Sequence, residues 1–422
     1  MRYPATAAVV LFVLAAVVAA QAPPISRIDR QRTQQMLRQI REDIEKHYYD
    51  ATFRGVDLAQ TFQNATAALE TAPTLNDAYA VLTDTVARLD DSHTVFFPPG
   101  RNLTVEYGWR MAMVGDLPLI VGVTAGSDAE AKGLEPGDQV LALNRFTPER
   151  ATLYEMRRYF RLIRPQALQH VTVRKPDGLQ VTLDIKSKVT ANRLIDLTEV
   201  LNDQDTAASE RRQRSLEINQ DVFLWRMPVF SESGPVEDQV RRARKYKTLV
   251  IDLRGNGGGL VDTLNAMVSC FFERAVIVAT EKNRKKETTY TARPKREPYT
   301  GRLIVLVDSE SASAAEIFAR VVQIEKRGTV IGDRTAGAVM TGRIFGHSIG
   351  TEYQQVLYAT MITVGDVRMS DGSSLEKVGV VPDEISLPAA ADLAARRDPV
   401  LARALAMAGV TMTPAEAAGL IR

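Results

Sequence analysis

Two stretches of the chain carry residue types able to do covalent chemistry, and each follows an apolar run. The first is Asp252-Leu253-Arg254-Gly255-Asn256-Gly257-Gly258-Gly259. Consecutive glycines let a backbone approach a ligand closely and leave N–H groups unblocked. At a helix start such donors suit an anion or a developing oxyanion. A phosphate loop would end in Gly-Lys-Ser/Thr, which is missing, and no register of the dinucleotide pattern GxGxxG keeps all its glycines. The plainest reading of the stretch is a turn. The second is Asp308-Ser309-Glu310-Ser311-Ala312-Ser313-Ala314-Ala315-Glu316. Ser313 and Glu316 have the spacing of a capping box, and on spacing alone the serine is an ordinary helix cap. Yet small residues on both sides keep space open around its hydroxyl. A serine at a helix N-terminus, with the next N–H free, can attack a carbonyl and help to hold the resulting oxyanion.

Composition narrows the remaining choices. The chain has 422 residues, 45% hydrophobic and 25% charged, a globular balance spread over about two to four domains. Lys+Arg 53 against Asp+Glu 51 gives +2, so no global charge draws it to nucleic acid or an acidic membrane. The single Cys270 excludes an intrachain disulfide and a CxxC metal site. It falls in an apolar helical pattern with Phe271 and Phe272, which suits a buried thiol rather than a nucleophile. With only His47, His93, His170 and His347, no histidine-rich metal cluster is expected. Met1-Arg2 precedes an uncharged apolar run over 5–20 that ends in small residues. This pattern reads as a signal peptide, because the run is shorter than the ~20 residues needed to span a bilayer. A secreted or periplasmic protein is expected, with no integral membrane segment after cleavage.

The elements that must position the serine follow from periodicity. Residues 26–90 read as helical, from Met36, Ile40 and Ile44 and from Leu58, Phe62, Ala65 and Leu69. Asn76 or Asp77 offers a cap for a third helix. Residues 107–189 read as short strands and turns, with a hairpin about Pro176-Asp177-Gly178. Residues 195–390 alternate: strands near 222–225, 248–252, 275–279, 303–307 and 330–331, and helices over 233–243, 260–272 and 313–326. That alternation predicts an α/β layer. The basic run 282–295 reads as a solvated hairpin, and the Ala-rich end after Pro388 as one or two helices.

Taken together, "DLRGNGGG" followed by "SASAAEIFA", with a late "GVVPD" at 379–383, resembles the carboxyl-terminal-processing, or tail-specific, serine peptidases and the related tricorn core. "SDAEAKGLEPGDQVLALN" (127–144) resembles a PDZ domain, and Gly108, Trp109, Arg110 and Met111 fall where its carboxylate-binding loop would be, without the usual Gly-x-Gly. The resemblance implies a crotonase-like α/β spiral core at 193–392. It also implies a helical N-terminal domain at 21–100 after the leader 1–20, a PDZ-like domain at 101–192 and a helical tail at 393–422. It makes Ser313 the nucleophile and Gly259 and Ala314 the oxyanion donors. One departure stands out: Ala338 occupies the place of the processing peptidases' general-base lysine, and no lysine occurs between Lys326 and Lys377. The tricorn branch instead uses a Ser-His pair and a glutamate. Here these would be Ser92 and His93 in "LDDSHTVF" and Glu376 in "LEKVGVVPD", with Asp371 as a rival to Glu376 and His347 as a reserve base.

The expected function is that of an exported serine endopeptidase acting on peptides or proteins by acyl transfer, with no metal or organic cofactor. The PDZ-like segment would recruit or gate substrate. Two other readings stand beside it: a catalytically inactive relative that binds peptides or apolar ligands, and a hydrolase of non-peptide esters or amides. The oligomeric state is left open.

Overall fold

The computed structural model describes residues 23–100, 103–191, 213–351 and 354–421; the expected leader 1–20 and the expected boundary at 192 lie outside them. Three helices open the described chain: α1 (Arg27–His47), α2 (Leu58–Thr71) and α3 (Leu75–Ala87). Their apolar stripes meet in one core that includes Met36, Ile40, Phe62, Leu69 and Leu82. The cap of α3 is Thr74 rather than Asn76 or Asp77. Asp77 lies inside the first turn, and its carboxylate accepts the Thr74 N–H at 3.1 Å, because Leu75 is already helical. A turn over 90–94 then leads into β1 (Val95–Phe97).

The next segment enters on β2 (Leu103–Glu106) and later leaves on β8 (Lys188–Ala191), and these two strands pair antiparallel as a stem. Between them a five-stranded antiparallel sheet runs in order β3 (Trp109–Val114), β4 (Leu117–Val123), β5 (Gln139–Leu143), β6 (Leu168–Arg174) and β7 (Gln180–Lys186). The short helices α4 (Asp128–Ala131) and α5 (Leu153–Arg158) accompany it. Its own core includes Met111, Ile120, Val140, Phe160 and Val171.

The chemistry-bearing stretches belong to a six-stranded sheet. Its strands are β9 (Arg214–Glu217), β10 (Val222–Arg226), β11 (Thr248–Asp252), β14 (Arg302–Val307), β15 (Thr329–Gly332) and β18 (Glu384–Ile385). They lie in order β18-β15-β14-β11-β10-β9, parallel except for β9. Both faces are covered, so strand residues alternate between two cores. Phe223, Leu249, Ile251, Val305 and Val307 face helices α6 (Ser233–Ala243), α7 (Val261–Ser269) and α8 (Ala314–Ile324). Leu224, Val250, Ile304 and Leu306 face Val400, Leu401 and Leu405.

A second sheet joins β1 to β17 (Gln354–Arg368), β12 (Val276–Lys282) and β13 (Glu287–Ala292), with β16 (Met340–Thr351) paired along β17. The basic run forms the β12–β13 hairpin, as its composition suggests. The long β16–β17 hairpin was not anticipated: glycines at 342, 346 and 350 blur its alternation. The tail holds three helices rather than one or two, α9 (Ala390–Ala394), α10 (Pro399–Met407) and α11 (Pro414–Leu420).

A buried ion cluster fixes the tail to the glycine loop. The Arg254 guanidinium donates to Asp252 twice at 2.9 Å and to Asp398, the cap of α10, at 3.0 and 2.8 Å. Asp252 is fully buried. Arg254→Ala leaves Asp398 without its cation and buried Asp252 with only Arg226, 3.9 Å away, and is expected to lower stability by about 3–5 kcal/mol. Arg241→Ala, which breaks the exposed pair with Asp238, is expected to cost less than ~1 kcal/mol. Urea denaturation of the two variants is the measurement; equal effects would dismiss the cluster as a clamp.

Candidate active site

β11 and β14 are neighbouring parallel strands in register, Asp252 opposite Leu306, so the loops that follow them emerge side by side. Asp308 ties them together: its Oδ1 accepts the Gly255 N–H at 2.9 Å and the Glu310 and Ser311 N–H groups at 3.0 Å. The Ser311 hydroxyl donates to the Leu253 carbonyl at 2.9 Å, and the Ala312 N–H to the Asn256 carbonyl at 2.9 Å.

At the end of this turn Ser313 has φ 53° and ψ −116°. A non-glycine residue held there costs about 1–3 kcal/mol, and the network just described is what holds it. Gly258 lies directly against it. A Cβ at Gly258 would come within 2.6 Å of Ser313 Cβ and 3.0 Å of Ala314 N, so a side chain is excluded there. The Gly258 N–H is itself taken by Asn256 Oδ1 at 2.8 Å. Gly259 forms a parallel bridge with Phe230, in which the bonds run from Phe230 N–H to Gly258 O and from Leu260 N–H to Phe230 O. That pattern turns the N–H of Gly259 away from Phe230. Among the described residues neither the Gly259 nor the Ala314 N–H has a hydrogen-bond partner, as an anion cradle requires.

Glu316 is fully buried and does more than cap α8. Its Oε2 accepts the N–H of Ser313 at 3.0 Å and of Ala338 at 2.9 Å, and its Oε1 accepts the Gly337 N–H at 2.8 Å and the Thr335 hydroxyl at 2.6 Å. Burial pushes its carboxyl up, to about 7, against those four donors. The Ala338 carbonyl in turn accepts from Ser313 N–H at 3.1 Å. The place of a general-base lysine therefore holds a backbone clasp on the serine. Lys377, the next lysine along the chain, pairs with Asp90 at 2.6 Å.

The following residue opens a second network. The Val339 N–H donates to Glu376 Oε2 at 2.9 Å. Ser92 donates to Glu376 through its N–H and its hydroxyl, each at 2.8 Å, and the Ser92 hydroxyl lies 2.7 Å from His93 Nδ1. An ionised carboxylate only accepts, so the Ser92 proton goes to Glu376 and Ser92 Oγ accepts Nδ1–H. Nε2 is then the basic nitrogen. Burial pushes the His93 imidazole down to about 4, against the raising influence of Asp91. Burial likewise holds the Glu376 carboxyl above its ordinary range, against the bonds from Ser92 and Val339. The turn carrying His93 is pinned by Asp91, whose carboxylate accepts the His93 and Thr94 N–H groups at 3.0 and 2.7 Å and the Tyr48 hydroxyl at 2.8 Å. The Ser313 and His93 networks thus meet at the consecutive residues Ala338 and Val339. Among the described residues no hydrogen bond joins Ser313 Oγ to His93.

The other sequence candidates lie elsewhere. His347 pairs with Asp43 of α1 at 2.7 Å, its ring tilted against Tyr358, and is withdrawn as a base. Asp371 pairs with Arg320 at 2.6 Å and accepts from Ser373, apart from Ser92. Of the expected carboxylate loop, only Gly108 lies in a turn. Its φ is 75°, and a Cβ there would meet Ser127 at 2.5 Å. Trp109, Arg110 and Met111 are residues of β3, with Met111 buried. Arg110 reaches Glu310 at 3.2 Å. Sequence reasoning gave Asp91, Asn256 and Thr335 no part in the site. Locally Asp91, like Asp90, reads as a cap of the preceding turn, and its partners Tyr48 and Thr363 are not visible from local sequence.

The chain is similar to known peptidases in sequence and in fold. Residues 221–386 match peptidase family S41. The chain is 26% identical over 368 residues to carboxyl-terminal-processing peptidase 2, chloroplastic, of Arabidopsis thaliana, covering 81% of this chain and 66% of the relative. It is 26% identical over 329 residues to the carboxyl-terminal-processing protease of Synechocystis sp., covering 73% and 71%. It is 25% identical to the tail-specific protease of Haemophilus influenzae, of whose length it spans 45%. In fold it is similar to mature CPAF in complex with lactacystin, with TM-score 0.66 and 16% identity over 87% of this chain and 96% of that one. It is also similar to the photosystem II D1 C-terminal processing protease, with TM-score 0.50 and 19% identity over 84% and 93%. Residues 221–386 thus carry the match to peptidase family S41, and the chain is similar in sequence to carboxyl-terminal-processing proteases.

Proposed function

We propose that this chain is an exported serine endopeptidase that cleaves peptide bonds by acyl transfer, with a Ser/His/Glu site in place of the Ser/Lys dyad. Ser313 Oγ attacks the scissile carbonyl and passes its proton to His93 Nε2. The carbonyl oxygen takes the negative charge and is held by the N–H groups of Gly259 and Ala314. His93 then protonates the departing amine as the C–N bond breaks, leaving an acyl ester on Ser313. Water, deprotonated by the same nitrogen, hydrolyses that ester. Glu376 and Ser92 hold the imidazole in the tautomer that leaves Nε2 basic. The observation that carries this reading is the junction at Ala338 and Val339, where the clasp on Ser313 and the Glu376–Ser92–His93 chain share adjacent peptide groups. The missing hydrogen bond between Ser313 and His93 suits a resting site, since such bonds are often long until substrate is bound.

We further propose a crotonase-like core carrying a PDZ-like domain at 103–191 that gates the site as well as recruiting substrate. Five contacts support gating. Arg110 and Arg157 pair with Glu310, the Ser309 hydroxyl donates to the Met113 carbonyl at 2.6 Å, and Asp333 accepts from Gly115 N–H and Arg150 at 2.9 Å. The carbonyls of Met111 and Met113 on β3 thus meet Arg157 and the loop preceding Ser313, where a strand-adding peptide would compete.

Ser313→Ala and His93→Ala are each expected to lower kcat on peptide substrates by roughly 10⁴-fold or more with folding retained, and only active protein is expected to label at Ser313 with a fluorophosphonate. Wild-type turnover by either variant would end the reading. The base must be neutral, so kcat/KM falls as pH drops through the pKa of His93. The acid limb is expected nearer 4 than the ordinary histidine value of 6.5; a pH–rate profile with its limb at 6.5 or higher would remove the buried imidazole from the mechanism. Glu310→Gln is expected to raise kcat/KM several-fold on short peptides, where recruitment contributes little. A rate that does not change would leave the β-rich segment a recruiter only.

A further inference from the structure

We infer that Gly342 is a positioning residue for the general base, its bare Cα forming the platform on which the His93 ring lies. This rests on the reading of His93 as that base.

Gly342 stands in β16, three residues beyond Val339, which bonds Glu376. The pairing of β16 with β17 slips between Thr341 and Gly342, and such bulges re-aim the residues beside a site. Gly342 does not sit in the left-handed region that demands glycine, so backbone freedom does not account for it. Space does. A Cβ at 342 would come 3.1 Å from His93 Cδ2 and 3.0 Å from Met361 Cγ and Sδ. Gly346, on the same face two strand repeats further along, has nothing within 4 Å of the corresponding position.

The consequence is chemical. Cδ2 is covalently bonded to Nε2, so whatever bounds Cδ2 decides where the basic nitrogen lies. The opposite side of the ring is fixed by the Ser92 hydroxyl on Nδ1. The charged groups facing His93 are Asp91, on its own N–H, and Glu376, through Ser92. Neither touches the Cδ2 edge, and Gly342 closes that side by having no side chain. A methyl at 342 makes the Cδ2 edge, and Nε2 with it, give by a few tenths of an ångström, in a site where a 1 Å misplacement can cost ~10²-fold in rate.

The test compares Gly342→Ala with Gly346→Ala in the full chain, beside His93→Ala. Gly342→Ala is expected to lower kcat about tenfold to a hundredfold with KM within twofold. The acid limb of kcat/KM should move up toward 6.5, as the displaced ring regains water. Gly346→Ala is expected to match wild type in both. If Gly342→Ala alone does not fold, Gly342→Ala with Met361→Ala relieves the second close contact, and Met361→Ala alone is its reference. Loss of kcat in the double variant relative to that reference supports the platform. Wild-type kcat and acid limb in Gly342→Ala, with His93→Ala inactive, overturn the platform and leave the base intact. Full activity in His93→Ala overturns both.

Discussion

The active site depends on one buried carboxylate. Glu316 accepts four hydrogen bonds, from the peptide N–H groups of Ser313, Gly337 and Ala338 and from the Thr335 hydroxyl. Without it the Gly337 and Ala338 N–H groups and the Thr335 hydroxyl would be left unsatisfied, at a cost of about 1–3 kcal/mol apiece, and the Ser313 N–H would keep only the Ala338 carbonyl. The carboxylate thereby holds the serine turn in a backbone conformation that the residue would not adopt alone. It also fixes the segment from which Val339 reaches the histidine network. Thr335 extends the same arrangement, because its hydroxyl accepts the Val380 N–H at 2.6 Å and so connects "GVVPD" to the serine helix.

Around this centre each part of the chain supplies one constraint. The N-terminal helices deliver Tyr48 to Asp91, and Asp91 shapes the turn that carries Ser92 and His93. The six-stranded sheet sets the glycine loop beside the serine loop through the register of β11 and β14. The hairpin of β16 and β17 carries Gly342 under the imidazole and Thr363 against Asp91. The β-rich segment meets the serine loop through charge and backbone bonds, and its Ile163 and Leu162 pack into the N-terminal core and against β1.

Much of this was legible in local sequence. The strands 222–225, 248–252 and 303–307 and the helix 233–243 follow from periodicity and stand where expected. The glycine loop and the serine helix stand out because small residues and glycines at strand ends have a short-range meaning, while the roles of Ser313, Gly259 and Ala314 came from resemblance. His93 and Glu376 came from resemblance alone, since nothing within either segment marks it. The reserve base His347 shows the limit of such reasoning: its partner Asp43 lies about three hundred positions away, and only the packing of β16 on α1 reveals it.

What the sequence by itself determined is the set of elements and the groups able to react, because hydrophobic period, capping and glycine content act over a few residues. The tertiary structure alone decided how those groups are shared out. It made Glu316 an anchor rather than a simple cap, brought Gly342 against His93 and Met361, and made Ala338 a backbone clasp on the serine. Each outcome turns on contacts between distant segments, buried where water cannot replace a missing partner, and such contacts exist only once the sheets are in register.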